Sequence, residues 1–120
     1  MDRLSGVAIG CAMTVLNTLG VGFLEKVYEQ ALALEIRNRG LSVARQQAIA
    51  VWYNGSVVGE DYADLLVEDA LLVELKVAKA LDDAHRAQCL NYLKATGLRL
   101  GLLLNFGVPR LSIRRIVNNL

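Results

Sequence analysis

Two short apolar runs stand close together near the middle of the chain, Leu65-Leu66-Val67 and Leu71-Leu72-Val73. Each run has the length of a strand and is too short for a typical helix. The residues between the runs, Glu68-Asp69-Ala70, are typical of a tight turn. The pattern therefore predicts a β-hairpin with a three-residue loop, in which Val67 faces Leu71.

The rest of the chain shows further stretches with helical or strand-like spacing of apolar residues. Three stretches predict helices because their apolar positions recur at intervals of three and four residues: about 3–19, 23–39 and 82–96. Each of these helices is predicted to end at a glycine, at Gly20, Gly40 and Gly97 respectively. Five stretches predict strands: 47–53, 57–67, 71–76, 100–106 and 111–117.

The predicted elements follow the order ααβββαββ. The first three strands are expected to form an antiparallel meander, with Asn54-Gly55 as the first hairpin turn. The helix after Lys76 predicts a parallel strand pair joined by a right-handed crossover. This order indicates an α/β fold with a mixed sheet flanked by helices. A chain of 120 residues has room for one such domain, residues 1–120, and not for two.

Composition and charge narrow the function classes. Hydrophobic residues make up 54% of the chain and there is one proline, which argues against disorder. The net charge of +1 provides no overall basic field, so nucleic-acid binding would have to use a local patch. Candidate basic residues fall into three groups, although scattered surface charge explains most of them equally well: Arg37, Arg39 and Arg45; Arg86, Lys94 and Arg99; Arg110, Arg114 and Arg115.

Two further features bear on where the protein is found. Cys11 and Cys89 lie in apolar helical contexts, which favours buried free thiols over a disulfide. The apolar stretch 7–15 is too short to cross a membrane, and no convincing signal-peptide cleavage site follows it. We therefore expect a cytoplasmic protein without a membrane partner.

The central hairpin carries charged residues where a core strand should be apolar. Glu74 and Lys76 share one face of the third strand because side chains alternate along a strand. With the three-residue loop, Asp64 lies opposite Glu74, at the Cβ separation of roughly 4.5–5.5 Å typical of such pairs. A loop one residue shorter would put the two carboxylates on different faces. We adopt the longer loop because it brings all three charges into one cluster.

Two facing carboxylates repel each other and resist burial unless a cation compensates them. Mg²⁺ takes oxygen ligands from one or two carboxylates, keeps several waters and often shares a substrate phosphate. Lys76 on the same face could then orient a water or stabilise negative charge. The alternative is a solvated face on which Lys76 simply neutralises Glu74, and the sequence leaves both interpretations open.

Two helix faces offer further polar candidates. Glu25 and Tyr28 share one face of the second predicted helix. Glu25 could instead serve only the dipole at the helix start, and Tyr28 could be a core tyrosine with a satisfied hydroxyl. In the third predicted helix, His85, Gln88 and Tyr92 share one face.

The charged residues resemble a known family pattern. Asp64, a short spacer and then Glu74-Leu75-Lys76 are similar to the Asp…(Asp/Glu)-x-Lys core of the PD-(D/E)XK nuclease superfamily. Residues 22–28, Gly-Phe-Leu-Glu-Lys-Val-Tyr, resemble the defining motif of the GxxExxY proteins, a branch of that superfamily. Ala63 stands where the superfamily's name expects proline, a residue that shapes backbone rather than chemistry.

The resemblance extends through the second half of the chain. His85-Arg86-Ala87-Gln88 with Asn91-Tyr92-Leu93 resembles the helix that follows the motif in this family, and Leu104-Asn105-Phe106-Gly107 resembles the next strand. The matching segments cover nearly the whole chain in the right order. The resemblance implies a restriction-endonuclease-like core and metal-dependent hydrolysis of phosphodiester bonds.

The resemblance also implies roles for individual residues. Five residues are implied to be catalytic, the first three of them as ligands of Mg²⁺ or Mn²⁺: Glu25, Asp64, Glu74, Lys76 and Gln88. Gln88 would hydrogen-bond the phosphate, Lys76 or the attacking water. Three residues are implied to support the site, with His85 as the weaker candidate: Tyr28, His85 and Tyr92.

Two functions from different classes follow. The resemblance implies a nuclease that acts on DNA or, as the less favoured substrate, on RNA. By analogy with small nucleases of this architecture, we expect a homodimer that holds a duplex. The alternative is a non-catalytic module that retains the fold and binds nucleic acid or a protein partner.

Overall fold

A computed structural model of the chain, describing residues 2–119, confirms the predicted order of elements. The helices are α1 (Asp2–Leu19), α2 (Glu25–Asn38) and α3 (Asp83–Thr96). The strands are β1 (Val43–Tyr53), β2 (Ser56–Val67), β3 (Leu71–Lys76), β4 (Leu100–Asn105) and β5 (Ser112–Val117). Among the described residues, no helix is long and apolar enough to span a membrane.

The five strands form one mixed sheet in the order β1-β2-β3-β4-β5. The β3–β4 pair is parallel and the other three pairs are antiparallel, which confirms the predicted meander and crossover. Every residue of β4 is buried, as expected for an apolar strand that has a neighbouring strand on each side. The sheet therefore places the carboxyl ends of β3 and β4 side by side.

Helices cover both faces of the sheet. α1 and α2 pack on one face, where Leu65, Val73 and Leu75 contribute to the larger core. α3 packs on the other face through Cys89 and Leu93, together with Tyr92 and Leu72. Both cysteines, Cys11 and Cys89, are buried and unpaired, as predicted.

The boundaries of α2 and β1 differ from the predicted ones. α2 begins at Glu25 rather than at Phe23, because Gly22 has a φ of 113° and the Phe23 amide donates to a side chain instead of entering the helix. β1 begins at Val43 rather than at Gln47. Because Arg45 and Gln46 are polar, the pattern of apolar residues does not reveal that β1 begins before Gln47.

The hairpin of β1 and β2 extends well beyond β3. In β2, only residues 65–67 pair with β3, whereas β1 and β2 continue to pair with each other as far as Tyr53 and Ser56. We call residues 47–63 the arm. The inner part of the arm, at Ile49 and Ala63, packs against α3.

Gly107 lies where the chain leaving β4 crosses the chain leaving β3. A Cβ on Gly107 would come within 2.5 Å of the Ala78 nitrogen and 2.6 Å of the Ala78 oxygen. We expect Gly107→Ala to lower the free energy of unfolding by roughly 1–3 kcal/mol, because it forces two backbone segments apart. Urea denaturation measures this change.

The matched control is Gly6→Ala in α1, where an added Cβ meets nothing within 4 Å. We expect this change to raise the free energy of unfolding by roughly 0.5–1 kcal/mol, because glycine is unfavourable inside a helix. Equal effects of the two substitutions would contradict the close crossing at Gly107.

Candidate active site

The register of β2 and β3 places the two carboxylates of the hairpin opposite each other. Leu65 pairs with Val73 and Val67 pairs with Leu71, which confirms the three-residue loop. The loop turns tightly because Glu68 and Asp69 adopt positive φ angles of 53° and 51°. Counting outward by one residue from the Leu65–Val73 pair brings Asp64 opposite Glu74, as predicted.

At this position the two side-chain carboxylates accept hydrogen bonds from backbone amides of the opposite strand. The Asp64 amide donates to Glu74 Oε2 at 3.0 Å, and the Leu75 amide donates to Asp64 Oδ2 at 2.8 Å. Each carboxylate is thus fixed by the backbone of the opposite strand. Each of these two bonds uses one oxygen atom of a carboxylate. The second oxygen of each carboxylate takes no part in them.

Burial makes this pair electrostatically unusual. Glu74 is 3% exposed, and this burial, together with the charge of Asp64, raises the pKa of Glu74 to about 9. The raised pKa favours the protonated form of Glu74 when no cation is present. A buried carboxyl with a raised pKa next to a second carboxyl is a marker of functional sites.

Lys76 lies on the same face of β3 and contacts α3. Its Nζ donates to Gln88 Oε1 at 2.8 Å. Within the described part of the chain, the ion pairs are Arg45–Glu29 and His85–Asp82, and none joins Lys76 to a carboxylate. The simpler interpretation, an ion pair of Lys76 with Glu74, is therefore not what the structure contains. Gln88 holds the ammonium group in place instead.

A buried asparagine fixes the backbone at Lys76. Asn105, at the end of β4, accepts from the Ala78 amide at 3.0 Å and donates to the Ala78 carbonyl at 2.9 Å. The adjacent Phe106 amide donates to the Lys76 carbonyl at 2.8 Å. Sequence analysis gave Asn105 no role, although a polar residue that ends an all-apolar strand was a usable signal.

Glu25 stands at the exposed start of α2 and faces the same cluster. Partial burial raises the pKa of its carboxyl, and the charge of Asp64 raises it further, whereas Lys76 lowers it. The carboxyl is thus close enough to sense both groups. The position also suits the positive end of the helix dipole.

The carboxylates do not form a complete three-ligand cage. Among residues 2–119, no group of three or more His, Cys, Asp or Glu side chains is close enough to hold a metal ion. The structure brings Asp64 and Glu74 together and leaves Glu25 outside such a group. The two hard oxygen donors still fit a cation that takes one or two carboxylates and fills its other positions with water and phosphate.

The three predicted supporting residues have different surroundings. The Tyr28 hydroxyl donates to the Gly20 carbonyl at 2.6 Å and accepts from the Phe23 amide at 3.2 Å, so Tyr28 is a core tyrosine that holds the loop before Glu25. His85 contacts Asp82 in the capping box at the start of α3. Burial, followed by the charges of Asp61 and Glu74, raises the pKa of Tyr92 to about 12.

A second polar network supports Asp64 from the side of α2 and was missed by sequence analysis. Glu29 is 3% exposed and accepts from Arg45 Nη2 at 3.2 Å and from Gln46 Nε2 at 2.6 Å. Gln46 Nε2 also lies 3.4 Å from Asp64 Oδ1. Glu29 follows Glu25 by four residues on the same helix face, a spacing that could have indicated its role.

Gln46 is also a backbone exception. Its φ is 52° although it lies inside β1, and the Gln46–Asp64 pair is missing between the Arg45–Leu65 and Gln47–Ala63 pairs. Leu65 and Ala63 are two residues apart, yet they pack into the cores on opposite faces of the sheet. The hairpin therefore twists sharply at Asp64, where such local irregularities often re-aim side chains.

Comparisons with known proteins identify the family and the fold of the chain. Residues 2–116 match the PD-(D/E)XK nuclease superfamily. A comparison with curated proteins finds no match.

Two solved structures share the fold. One is the crystal structure of SSO0001, with a TM-score of 0.60 and 17% identity over 79% of this chain and 50% of that chain. This chain thus spans about half of the length of SSO0001. The other is an alkaline exonuclease (LHK-Exo) from Laribacter hongkongensis, with a TM-score of 0.51 and 14% identity over 99% of this chain and 83% of that chain.

The two structural matches concern the fold alone. It is a restriction-endonuclease-like α/β fold, as predicted. The family match, in contrast, covers nearly the whole sequence. The family match includes the hairpin with Asp64, Glu74 and Lys76. The chain therefore belongs to the PD-(D/E)XK nuclease superfamily.

Proposed function

We propose that this protein is a metal-dependent nuclease that hydrolyses phosphodiester bonds in DNA, with Asp64 and Glu74 as ligands of Mg²⁺ or Mn²⁺. The observation that carries the proposal is the buried Glu74 carboxyl, which lies opposite Asp64 and, among residues 2–119, takes part in no ion pair. Membership of a nuclease superfamily implies a nucleic-acid substrate. DNA rather than RNA is the finer part of the proposal.

The proposed ligands fit a hard cation because both offer carboxylate oxygens fixed by backbone amides. A bound divalent ion would neutralise charge on the scissile phosphate and lower the pKa of a coordinated water. Glu25 is the proposed third acidic member, reaching the cluster from the start of α2. Glu74 has to release its proton before it can act as a ligand, so binding should strengthen as pH rises.

The other residues of the site act on the substrate or on each other. Lys76 would stabilise the negative charge that develops on the phosphate, or position the attacking water. Gln88 would keep the Lys76 ammonium in place through the bond at 2.8 Å. Asn105 would keep the backbone of Lys76 fixed, and Gln46 would do the same for the Asp64 carboxylate.

We also propose the finer assignments that the motif and the size of the chain suggest. Residues 22–28 support membership of the GxxExxY branch, since Gly22 has a φ of 113° and Glu25 faces the site. One domain for the whole chain, a homodimer and a cytoplasmic location complete the proposal. The homodimer is proposed by analogy with small nucleases of this architecture.

Substitution of Lys76 tests the proposed function. We expect Lys76→Ala to lower the rate of hydrolysis by about 10²–10³-fold, the range seen when a single charge-stabilising donor is removed from an active site. Gln88→Ala should lower the rate less, because Lys76 remains but is no longer held. Initial rates on labelled single-stranded and duplex DNA and RNA with Mn²⁺ measure both effects.

The control is Lys79→Ala, an exposed lysine three residues further along the chain. This variant should cleave like the wild type. If Lys76→Ala and Lys79→Ala cleave equally well, Lys76 has no part in the reaction. If the wild type cleaves none of the substrates, the non-catalytic binding module becomes the better account.

A further inference from the structure

A groove runs between the arm and α3, next to the carboxylate pair. Its volume is about 550 Å³, and its walls come from β1, β2 and α3. This volume lies within the range of about 300–1,000 Å³ that is typical of binding pockets. Gln88 lines the groove and also accepts the hydrogen bond from Lys76. Gln88 therefore links the groove to the proposed active site.

The α3 wall of the groove carries a stripe of polar side chains. Gln88, Asn91 and Lys94 line the groove at intervals of three residues. With a rise of 1.5 Å per residue, Lys94 stands about 9 Å along the helix from Gln88. This distance corresponds to roughly two to three steps of a stacked nucleic-acid strand, at about 3.4 Å per step. Amide and ammonium groups are the donors that commonly contact phosphates and sugars.

The arm wall is apolar and aromatic. It includes Ile49, Val51 and Trp52, and Trp52 is 64% exposed. The pairing register shifts between Val51 and Trp52, and such irregularities re-aim side chains, so Trp52 borders the groove although it follows Val51 directly. Its exposed indole offers a flat surface for stacking with a base. Asp61 also lines the groove; its carboxylate would repel a phosphate but could accept from the amino group of a base. The interior of the groove thus suits a base, and its α3 wall suits a backbone.

We propose that this groove binds an unpaired base of the nucleic-acid substrate, stacked on Trp52, with the adjoining backbone along Asn91 and Lys94. The identification of the ligand as substrate rests on the proposed nuclease function. Bases inside a duplex are stacked on both faces and paired along one edge, so they cannot enter such a groove without leaving the helix. The protein therefore prefers single strands, overhangs or frayed ends to continuous duplex.

Trp52 is the only tryptophan of the chain and reports directly on this site. The experiment uses the full chain with Asp64→Asn to prevent cleavage. Three probes are titrated: a short oligothymidylate, an abasic strand of the same length, and a blunt duplex. We expect oligothymidylate to quench the Trp52 fluorescence and to bind about tenfold or more tightly than the abasic strand, which carries the same phosphates without bases.

A second comparison isolates the indole. In the same background, Trp52→Ala should weaken binding of labelled oligothymidylate by about 10- to 100-fold, measured by fluorescence anisotropy. The matched control is Tyr53→Ala, an aromatic residue that is 68% exposed on the same strand and does not line the groove. Its affinity should be unchanged. Equal losses in both variants, no loss in Trp52→Ala, or duplex binding as tight as single-strand binding would each overturn the proposal.

The outcomes separate this inference from the proposed function. If hydrolysis depends on Asp64 but Trp52→Ala leaves both rate and affinity unchanged, the nuclease function stands and the groove proposal fails. If no substrate is cleaved but single strands still bind through Trp52, the groove proposal stands and the proposed function fails. If Trp52→Ala changes the sedimentation of the free protein and not strand binding, the groove is a contact between copies and the proposal is overturned.

Discussion

Asp64→Asn should reduce hydrolysis by about 10³-fold or more while the protein stays folded. The asparagine oxygen can still accept from the Leu75 amide, which now donates to Asp64 Oδ2 at 2.8 Å, so the contact between β2 and β3 is preserved. The negative charge that the proposed cation needs is lost. A loss of several kcal/mol of transition-state stabilisation corresponds to a factor of this size. Initial rates on labelled DNA with Mn²⁺ measure the loss.

Asp69→Asn is the matched control for this change. Asp69 lies at the tip of the same hairpin, is exposed, and has a φ of 51°, a conformation that asparagine adopts readily. Its rate should equal that of the wild type, and circular dichroism should show the same fold for both variants. Cleavage that persists in Asp64→Asn would refute the assignment of the site.

Glu74→Gln should change how stability depends on pH. The pKa of Glu74 is about 9 in the folded protein, above its ordinary value of 4.5. Between these two values the folded protein keeps a proton that the unfolded chain has lost, so the free energy of unfolding falls as pH rises. The protonated Glu74 carboxyl therefore stabilises the folded protein fully below pH 4.5, and this stabilisation is lost as pH rises through about 9. Glutamine carries no proton to lose.

We therefore expect Glu74→Gln to be more stable than the wild type near the upper end of this range, by an amount on the order of a few kcal/mol. Urea denaturation at several pH values, without divalent ions, measures the difference. Glu68→Gln is the control, because hydrogen bonds from Ser42 lower the pKa of Glu68 below its ordinary 4.5, so the stability that this carboxylate contributes is constant above that value and is lost only as pH falls below it. A stability difference between the wild type and Glu74→Gln that does not change with pH over this range would show that the pKa of Glu74 is not raised.

The register of the central hairpin could be predicted from local rules. The apolar runs limited the loop to two or three residues, and only the longer loop put Asp64, Glu74 and Lys76 on one face. The structure confirms that register. For Gln88, the family resemblance implied a hydrogen bond to the phosphate, to Lys76 or to the attacking water, and the structure contains the bond with Lys76.

The support around Asp64 could not be predicted in the same way. Arg45 was grouped with scattered surface charge, yet it pairs with the buried Glu29 on α2. The left-handed backbone of Gln46 has no sequence signature, since glutamine has no preference for this conformation, and its side chain bonds Glu29 on α2. Both features arise from contacts between residues that are 16 or 17 positions apart.

The role of Tyr28 was decided by tertiary contacts as well. Its spacing from Glu25 allowed either a site residue or a core residue. Its ring stacks on Phe106 at a centroid distance of 5.0 Å, and its hydroxyl bonds the loop that precedes Glu25. Tyr28 therefore positions the loop that leads to Glu25. Within the described chain it makes no hydrogen bond with Asp64 or Glu74.

Calorimetric titration of Mn²⁺ tests the central claim most directly, comparing the wild type with Asp64→Asn in the presence of a short non-cleavable DNA strand. The account predicts saturable binding by the wild type, accompanied by proton release, stronger at higher pH and lost in Asp64→Asn. The strand supplies the phosphate that completes the site if the carboxylates alone bind weakly. Undiminished binding in Asp64→Asn, or none in the wild type even with the strand, would contradict a metal site built on the Asp64–Glu74 pair.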